Sequence, residues 1–487
     1  MRYRIRRPSA GQGMGNFSMG PLSRRKFLAA SSLAATSAAL APRAFADRND
    51  VLRIAVTGVR GRGMDHLKAL LALKGVEIAA ICDVNENIIG KAMKAVEDKQ
   101  GKKPVFFQDF RKLVEDKSID AVTIATSNHT HALLAIWGLQ AGKHVYVEKP
   151  VSHNVWEGRK IVEAARKYNK ICQTGTQSRS YKGFRESFKF LQEGKLGKIK
   201  VARGLCYNPR PSIGIVEDTP VPAGIDYNLW LGPAPERPFN TNRFFYNWHW
   251  FWDYGNGDLG NQGVHQLDLI RWGLGYTTLP KKVLSVGGRF GYKDDGETAN
   301  SQIVAFDYGD KPQIIFEVRG LPTNPYKEVK VGAIFHCTDG HLALSRSEAT
   351  AYDKGGEVIQ KFTGTGDHFQ NFVDAVRSGK PTDLAADIEE GHLSSALCHL
   401  GNISYRLGGL HAMYKVRPFG ENEDAADTYD RFKEHMNANG VQPDNTQVFV
   451  GRTLTVDAKA ERFVDDSEAD KMLTREYRKP FVVPDAV

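Results

Sequence analysis

"VLRIAVTGVRGRGMDHLKALLALKGVEIAAICD", residues 51–83, decides the fold. An apolar run breaks at a cluster of glycines, a helical stretch runs from Gly63 to Lys74, and a second apolar run closes on an acid. The alternation continues through "KPVFFQD", a helix over 110–116, "DAVTIAT", the helical "HTHALLAIWGLQAG" and the strand "HVYVEKP". Short strands that are apolar nearly throughout are buried on both faces, so this order predicts a parallel sheet covered by helices on both sides.

Gly58, Gly61 and Gly63 stand where the first strand turns into the first helix. A backbone without Cβ can approach a pyrophosphate there, and the helix N-terminus supplies N–H donors and positive potential. The spacing departs from GxGxxG, because Arg60 takes the middle position and a glycine follows it. Asp83 closes the second strand twenty residues after Gly63, where a carboxylate accepts hydrogen bonds from ribose hydroxyls and repels a 2′-phosphate. Together these predict a doubly wound, Rossmann-type dinucleotide domain that favours NAD over NADP.

The texture changes after Pro150. One more helix and the strand "KICQTGT" lead into a region rich in Gly, Pro and aromatics, and then into alternating segments such as "NSQIVAFDYG" and "PQIIFEVRG". Alternation of this kind predicts a second, α+β domain with a large, mainly antiparallel sheet exposed on one face. The expected division is a leader over 1–46, a dinucleotide domain over 47–174, a substrate and oligomerisation domain over 175–412, and a C-terminal extension over 413–487. That extension reads as a short helix and an arm that wraps the body or a neighbouring subunit. The uncovered sheet face is expected to carry homo-oligomer association. In "NRFFYNWHWFWDYG", Tyr246, Trp248, Trp250 and Trp252 alternate, which suits a half-buried strand or loop anchor; Trp248 and His249 are candidates to meet a sugar ring.

The N-terminus reads differently. Arg24 and Arg25 precede a 14-residue apolar stretch, Phe27–Leu40, too short to span a bilayer, and Ala44 and Ala46 offer a cleavage site after Ala46. This resembles a twin-arginine export signal, which implies the twin-arginine machinery as a partner and a periplasmic or otherwise exported location. The leader holds eight of the 66 Lys+Arg and none of the 56 Asp+Glu, so the +10 of the full chain falls to +2 without it. That balance gives no reason to expect nucleic acid or stable membrane insertion. Five scattered cysteines without a CxxC pair predict free thiols, and the histidines show no metal spacing, so no metal is expected.

Two further stretches, "ATSNHTHALLAIWGLQAGKHVYVEKP" (125–150) and "NGDLGNQGVHQLDLIRW" (256–272), resemble the Gfo/Idh/MocA family of oxidoreductases, as does "GDHFQNFVDAVRSGKPTD" (366–383). The resemblance implies that Lys149, in a Glu-Lys-Pro turn, reaches the nicotinamide and the substrate, and that Ser127, Asn128, His131, Glu148 and Gln177 belong with the cofactor. It also matches His265 to the family's catalytic histidine, four residues after an acid; here that position is Asn261. An amide cannot accept the hydroxyl proton, although it can orient a hydroxyl. Asp268, three residues past His265, either orients that ring or bonds to another neighbour.

The reading is therefore an exported oxidoreductase that moves a hydride between a sugar, sugar derivative or polyol and tightly held NAD, with Lys149 and His265 handling the proton. Two alternatives stand beside it: a redox-neutral glycoside-cleaving enzyme working by oxidation and elimination, and a carbohydrate-binding module without catalysis. An exporter of folded proteins permits a cofactor bound before export. That answers why an export signal precedes a dinucleotide turn.

Overall fold

The computed structural model describes residues 51–487. The export leader expected over 1–46, with Arg24 and Arg25, lies outside the described residues. Six strands form the first sheet: β1 (Leu52–Thr57), β2 (Val76–Cys82), β3 (Val105–Phe107), β4 (Ala121–Ile124), β5 (His144–Val147) and β6 (Cys172–Thr174). Their order is β3-β2-β1-β4-β5-β6, and every pair is parallel. Ile54, Val56, Ile81, Val122 and Val147 are all fully buried, as two covered faces require. The chain moves outward in opposite directions from β1 and β4, which opens a crevice at their C-terminal ends.

The second sheet uses β7 (Ile199–Tyr207), β8 (Lys282–Gly288), β9 (Ser301–Asp307), β10 (Gln313–Arg319), β11 (Val331–Cys337), β12 (Gly340–Ser345), β13 (Glu348–Asp353) and β14 (Val358–Phe362). Its order is β14-β13-β12-β11-β7-β10-β9-β8, with only β7 and β10 parallel in that run. The helices Gly263–Leu274 and Ile388–Arg406 pack on one face around Phe316, Phe335 and Leu397. The second of these is buried nearly all round, because it is wedged between that sheet and the helix Val155–Lys167 of the first domain.

The other face corrects the expectation of an open surface. The helix Glu423–Ala438, from the C-terminal extension, lays Tyr429, Phe432 and Met436 against Val201, Val286, Ile303 and Ile315 of β7 to β10. The alternating strands need a cover, and the chain supplies its own, so that part of the face is interior rather than a docking surface. The extension continues the sheet beyond β8: β15 (Gly409–Ala412) pairs with β16 (Gln447–Val450), while β16 and β17 (Leu454–Asp457) share the edge of β8, and β18 (Arg462–Phe463) pairs with β17. Its last residues return to the first domain, where Phe481, Val483 and Val487 join the core around Leu133 and Ile136. The aromatic run is a second departure. Tyr246–Trp250 forms a 3₁₀ turn rather than a strand, held by Tyr246 O at the His249 ring and by Trp248 N–H donating to Phe245 O.

All five cysteines are free thiols; four are buried and Cys337 is half-buried. Among the described residues no helix is long and apolar enough to cross a membrane. Phe432 is 1% exposed on the face of the covering helix. Phe432→Ala should cost about 3–5 kcal/mol of unfolding free energy, read by chemical denaturation; a change under about 1 kcal/mol would mean that the helix does not close the sheet.

Candidate active site

The crevice between the domains holds a cavity of about 690 Å³. The glycine turn forms one wall, and Gly58 and Gly63 each have a steric reason. Gly58 has φ +78°, and a Cβ there would fall 2.7 Å from Ala125 O; a Cβ on Gly63 would fall 1.6 Å from Gly58 O. The turn can thus press against the helix Arg62–Leu71 only without side chains. Gly61 and Arg60 line the cavity, and the Arg60 guanidinium lies 4.4 Å from the centre of the Phe245 ring, across the crevice.

Asp83, at the end of β2, also lines the cavity and accepts the backbone N–H of Val59 (2.9 Å) and of Asn85 (3.0 Å). Burial raises its carboxyl above the ordinary value, against the pull of those two bonds. Each oxygen keeps a lone pair for a further donor. Ser127 caps the helix Asn128–Gln140 by position only; its side chain makes no capping bond, and it stands at the cavity wall with Asn128. The His131 ring is fixed between Pro150 O (2.7 Å) and Thr126 O (2.9 Å), and burial lowers its pKa. It ties the Lys149–Pro150 turn, whose peptide is cis, to the helix beside it.

Glu148 is buried and accepts from Arg62 Nε (2.8 Å), His66 Nε2 (2.9 Å) and Gln177 Nε2 (3.2 Å). Burial alone would raise its pKa, but the His66 hydrogen bond and the Arg62 charge hold it well below the usual carboxylate range. Gln177, which also donates to Tyr146 OH at 3.1 Å, is not part of the cavity wall; it supports Glu148. His66 was not singled out in the sequence. Its signal was its helical position four residues after Arg62, on the same face.

Lys149 is half-buried at the cavity wall, and its Nζ donates to Asn261 O at 2.9 Å and reaches Asn261 Oδ1 at 3.4 Å. Burial lowers its pKa; Arg62 and Arg210 push the same way, while Glu148 and Asp258 oppose. The Asn261 amide in turn points Nδ2 at Asp258 Oδ1 (3.4 Å), and Asp258 is held by Arg210 through two bonds of 2.9 Å. Sequence reading missed Asp258. The acid absent at 261 stands one helical turn earlier, within the short helix Gly257–Asn261.

Trp248 and His249 both line the cavity, their rings stacked at 3.6 Å and 19°. Burial, with Lys149 and Arg210 nearby, lowers the His249 pKa to about 3, so the ring is neutral. Its Nδ1 faces the carbonyl of Tyr246 and must carry the proton, which leaves the lone pair on Nε2.

Two expected catalytic residues are placed elsewhere. His265 does not line the large cavity; it faces a separate one of about 250 Å³ with Ser178, Leu344 and Arg346, while Gln262, one turn earlier, borders both. The start of the helix Gly263–Leu274 turns position 265 toward β11 and β12. Burial brings the His265 pKa down to about 3, with Lys149 adding to the effect. Asp268 does not orient His265. It is 1% exposed and paired with Arg179 (Nε 2.8 Å, Nη2 2.9 Å) and Ser394 Oγ (2.7 Å). A buried guanidinium requires such a partner, so Asp268 joins the helix Gly263–Leu274 to the helix Ile388–Arg406. Among the described residues no group of three or more His, Cys, Asp or Glu is placed to hold a metal ion.

Comparison with known proteins agrees with this architecture. Residues 52–176 match the family model described as "Oxidoreductase family, NAD-binding Rossmann fold", and residues 212–432 match "Oxidoreductase family, C-terminal alpha/beta domain". The chain belongs to the Gfo/Idh/MocA oxidoreductase family. It is 31% identical over 159 residues to inositol 2-dehydrogenase of Salmonella typhimurium, covering 32% of this chain and 46% of that one. It is also 32% identical over 131 residues to an alpha-N-acetylgalactosaminidase of Shewanella oneidensis, covering 26% of this chain and 28% of that one. The chain thus spans less than half the length of these curated relatives. In fold it is similar to the WlbA dehydrogenase of Bordetella pertussis, solved with NADH and UDP-GlcNAcA, at a TM-score of 0.52 and 19% identity, covering 73% of this chain and 96% of that one. An NAD-binding protein of Listeria innocua gives a TM-score of 0.51 at 17% identity, over 72% and 95% of the two chains.

Two outcomes follow from the pairings. Asp268→Asn should cost about 1–3 kcal/mol of stability, because it removes one of the two carboxylates that answer the buried Arg179 and leaves Glu390, 2.9 Å from Nη2, as the other; an enzyme of unchanged stability but altered proton handling would return Asp268 to the chemistry. Glu148 has a folded pKa below its unfolded value of about 4.3, so the stability it contributes is complete above that pH and is lost as pH falls toward the folded pKa. Acid titration of unfolding should therefore show a loss below about pH 4.3 that Glu148→Gln flattens. Identical profiles for the two proteins would place the loss elsewhere.

Proposed function

We propose that the protein is an exported oxidoreductase acting on a hydroxyl of a sugar, sugar derivative or polyol, with NAD held in the crevice. The observation that carries this is that one cavity joins the glycine turn and Asp83 to Lys149 and to the Trp248–His249 platform. The residues fit a dinucleotide. The Gly63 position leaves no room for a side chain, the turn opens a helix N-terminus, and Asp83 retains acceptor capacity for ribose hydroxyls. That carboxylate also repels a 2′-phosphate, which favours NAD. Bound NAD supplies the hydride acceptor, C4 of its nicotinamide.

This chain's own residues manage the proton. Lys149, with its pKa lowered by burial, takes the hydroxyl proton when neutral and returns it in the reverse direction. The Asn261 carbonyl and amide fix its Nζ, and Asp258 backs the amide. His249, neutral and stacked on Trp248, offers Nε2 to a second hydroxyl while the indole face meets the C–H edge of a sugar ring. Neither role needs His265. The Arg24-Arg25 leader supports export, and an exporter of folded proteins lets the cofactor travel bound.

A second reading is redox-neutral glycoside cleavage, favoured by the match to the Shewanella alpha-N-acetylgalactosaminidase. Aryl glycosides separate the two: cleavage releases the aglycone without lasting NADH, whereas oxidation leaves reduced cofactor or keto-sugar.

Since the base must be unprotonated, hydride transfer should rise with pH through an apparent pKa below the ~10.4 of a free lysine and fall on the acid side. Lys149→Ala should lower the rate by about 10²–10⁴-fold with NAD still bound, measured by nicotinamide fluorescence. Full activity in that variant removes Lys149 from the mechanism.

A further inference from the structure

The cavity has a wall that neither family model covers. The matched regions end at residue 432, yet Phe481 lines the cavity and is 3% exposed. It packs in one core cluster with Phe110 and Leu133, which line the cavity with it, as do Trp137 and Asp83. Its ring centre is 6.3 Å from that of Trp137, and the guanidinium groups of Arg111 and Arg478 lie 5.3 and 4.8 Å from it. An apolar ring flanked by cations, in the same cavity as the strand-end acid, suits the adenosine half of a dinucleotide, whose base has flat faces and whose ribose reaches Asp83.

The same arm closes the crevice. Arg478 donates from Nε to Gly232 O (3.1 Å), from Nη1 to Asn228 Oδ1 (2.6 Å) and from Nη2 to Asn228 O (2.6 Å). Arg475 donates to Asp253 O (3.2 Å) and to His129 O (2.9 Å), so it binds the aromatic insertion to the first domain. On the far side, Asp226 N–H donates to Val84 O at 2.9 Å and Glu86 N–H to Gly224 O at 2.9 Å. The segment over 224–233 is therefore stapled at one end to the residues following β2 and at the other to the C-terminal arm.

We propose that the C-terminal arm is part of the cofactor site: Phe481 walls the adenosine half, and Arg478 holds the arm and the 228–233 segment shut over it, so the dinucleotide leaves slowly. This rests on the dinucleotide reading above and adds to it which residues retain the cofactor.

The test uses the full chain loaded with NADH, chased with excess NAD, and follows fluorescence decay. Phe481→Leu keeps apolar volume but loses the flat face, and Arg478→Ala loosens the staple without emptying the core. Each should release NADH about tenfold faster or more, while Val482→Ala, 39% exposed next to Phe481, should release it at the wild-type rate. Wild-type release rates in both Phe481→Leu and Arg478→Ala overturn the proposal, as does a Phe481→Leu protein whose melting temperature falls equally with and without NADH while release is unchanged. Failure of the wild-type chain to take up NADH overturns the dinucleotide reading itself, a distinct result.

Discussion

A single buried carboxylate organises the site. Glu148 accepts hydrogen bonds from Arg62 and His66, both on the helix that opens at the glycine turn, and from Gln177 at the start of the second domain. It also precedes Lys149, whose backbone N–H donates to its own Oε2 at 3.2 Å. Glycine turn, lysine turn and domain junction are thereby fixed relative to one another by one group. A charge in that position is costly unless several donors answer it, and here they do. Glu148 borders the same cavity as Lys149, but its oxygens are engaged by Arg62, His66 and Gln177, so its part is to set the lysine's place.

The opposite wall is built around a displaced acid. With Asn261 in place of the family's aspartate, the lysine is held by a carbonyl and an amide, and the negative charge moves to Asp258, itself clamped by Arg210. The charge balance near Lys149 is therefore two cations, Arg62 and Arg210, against two anions, Glu148 and Asp258, with burial deciding the direction of its pKa. His265, matched to the family by spacing, lies on a neighbouring cavity; the imidazoles on the lysine's cavity are His131, whose ring nitrogens both face backbone carbonyls, and His249. The latter arrives there through an aromatic 3₁₀ turn, which spacing along a helix could not reveal.

The first domain was legible because its signals are local. Strand length, glycines before a helix and an acid at a strand end each follow from backbone geometry over a few residues. The mainly antiparallel second sheet was legible for the same reason. What covers it was not: Phe432 and Met436 sit in a charged segment whose apolar stripe is narrow, and only tertiary contact with β7 to β10 gives it meaning. Asp268 shows a similar limit, since its partner Arg179 lies 89 residues away and no local pattern pairs them. Phe481 is the extreme case, a lone aromatic near the C-terminal arm's end that becomes a cavity wall only after the chain has folded back.

The central claim is that one crevice brings a dinucleotide to Lys149. A crystal structure of the full chain grown with NAD tests it most directly. The account predicts the adenosine ribose on Asp83, the pyrophosphate at the glycine turn and the nicotinamide beside Lys149 and His249. A dinucleotide bound elsewhere, or this crevice empty at saturating NAD, would contradict it.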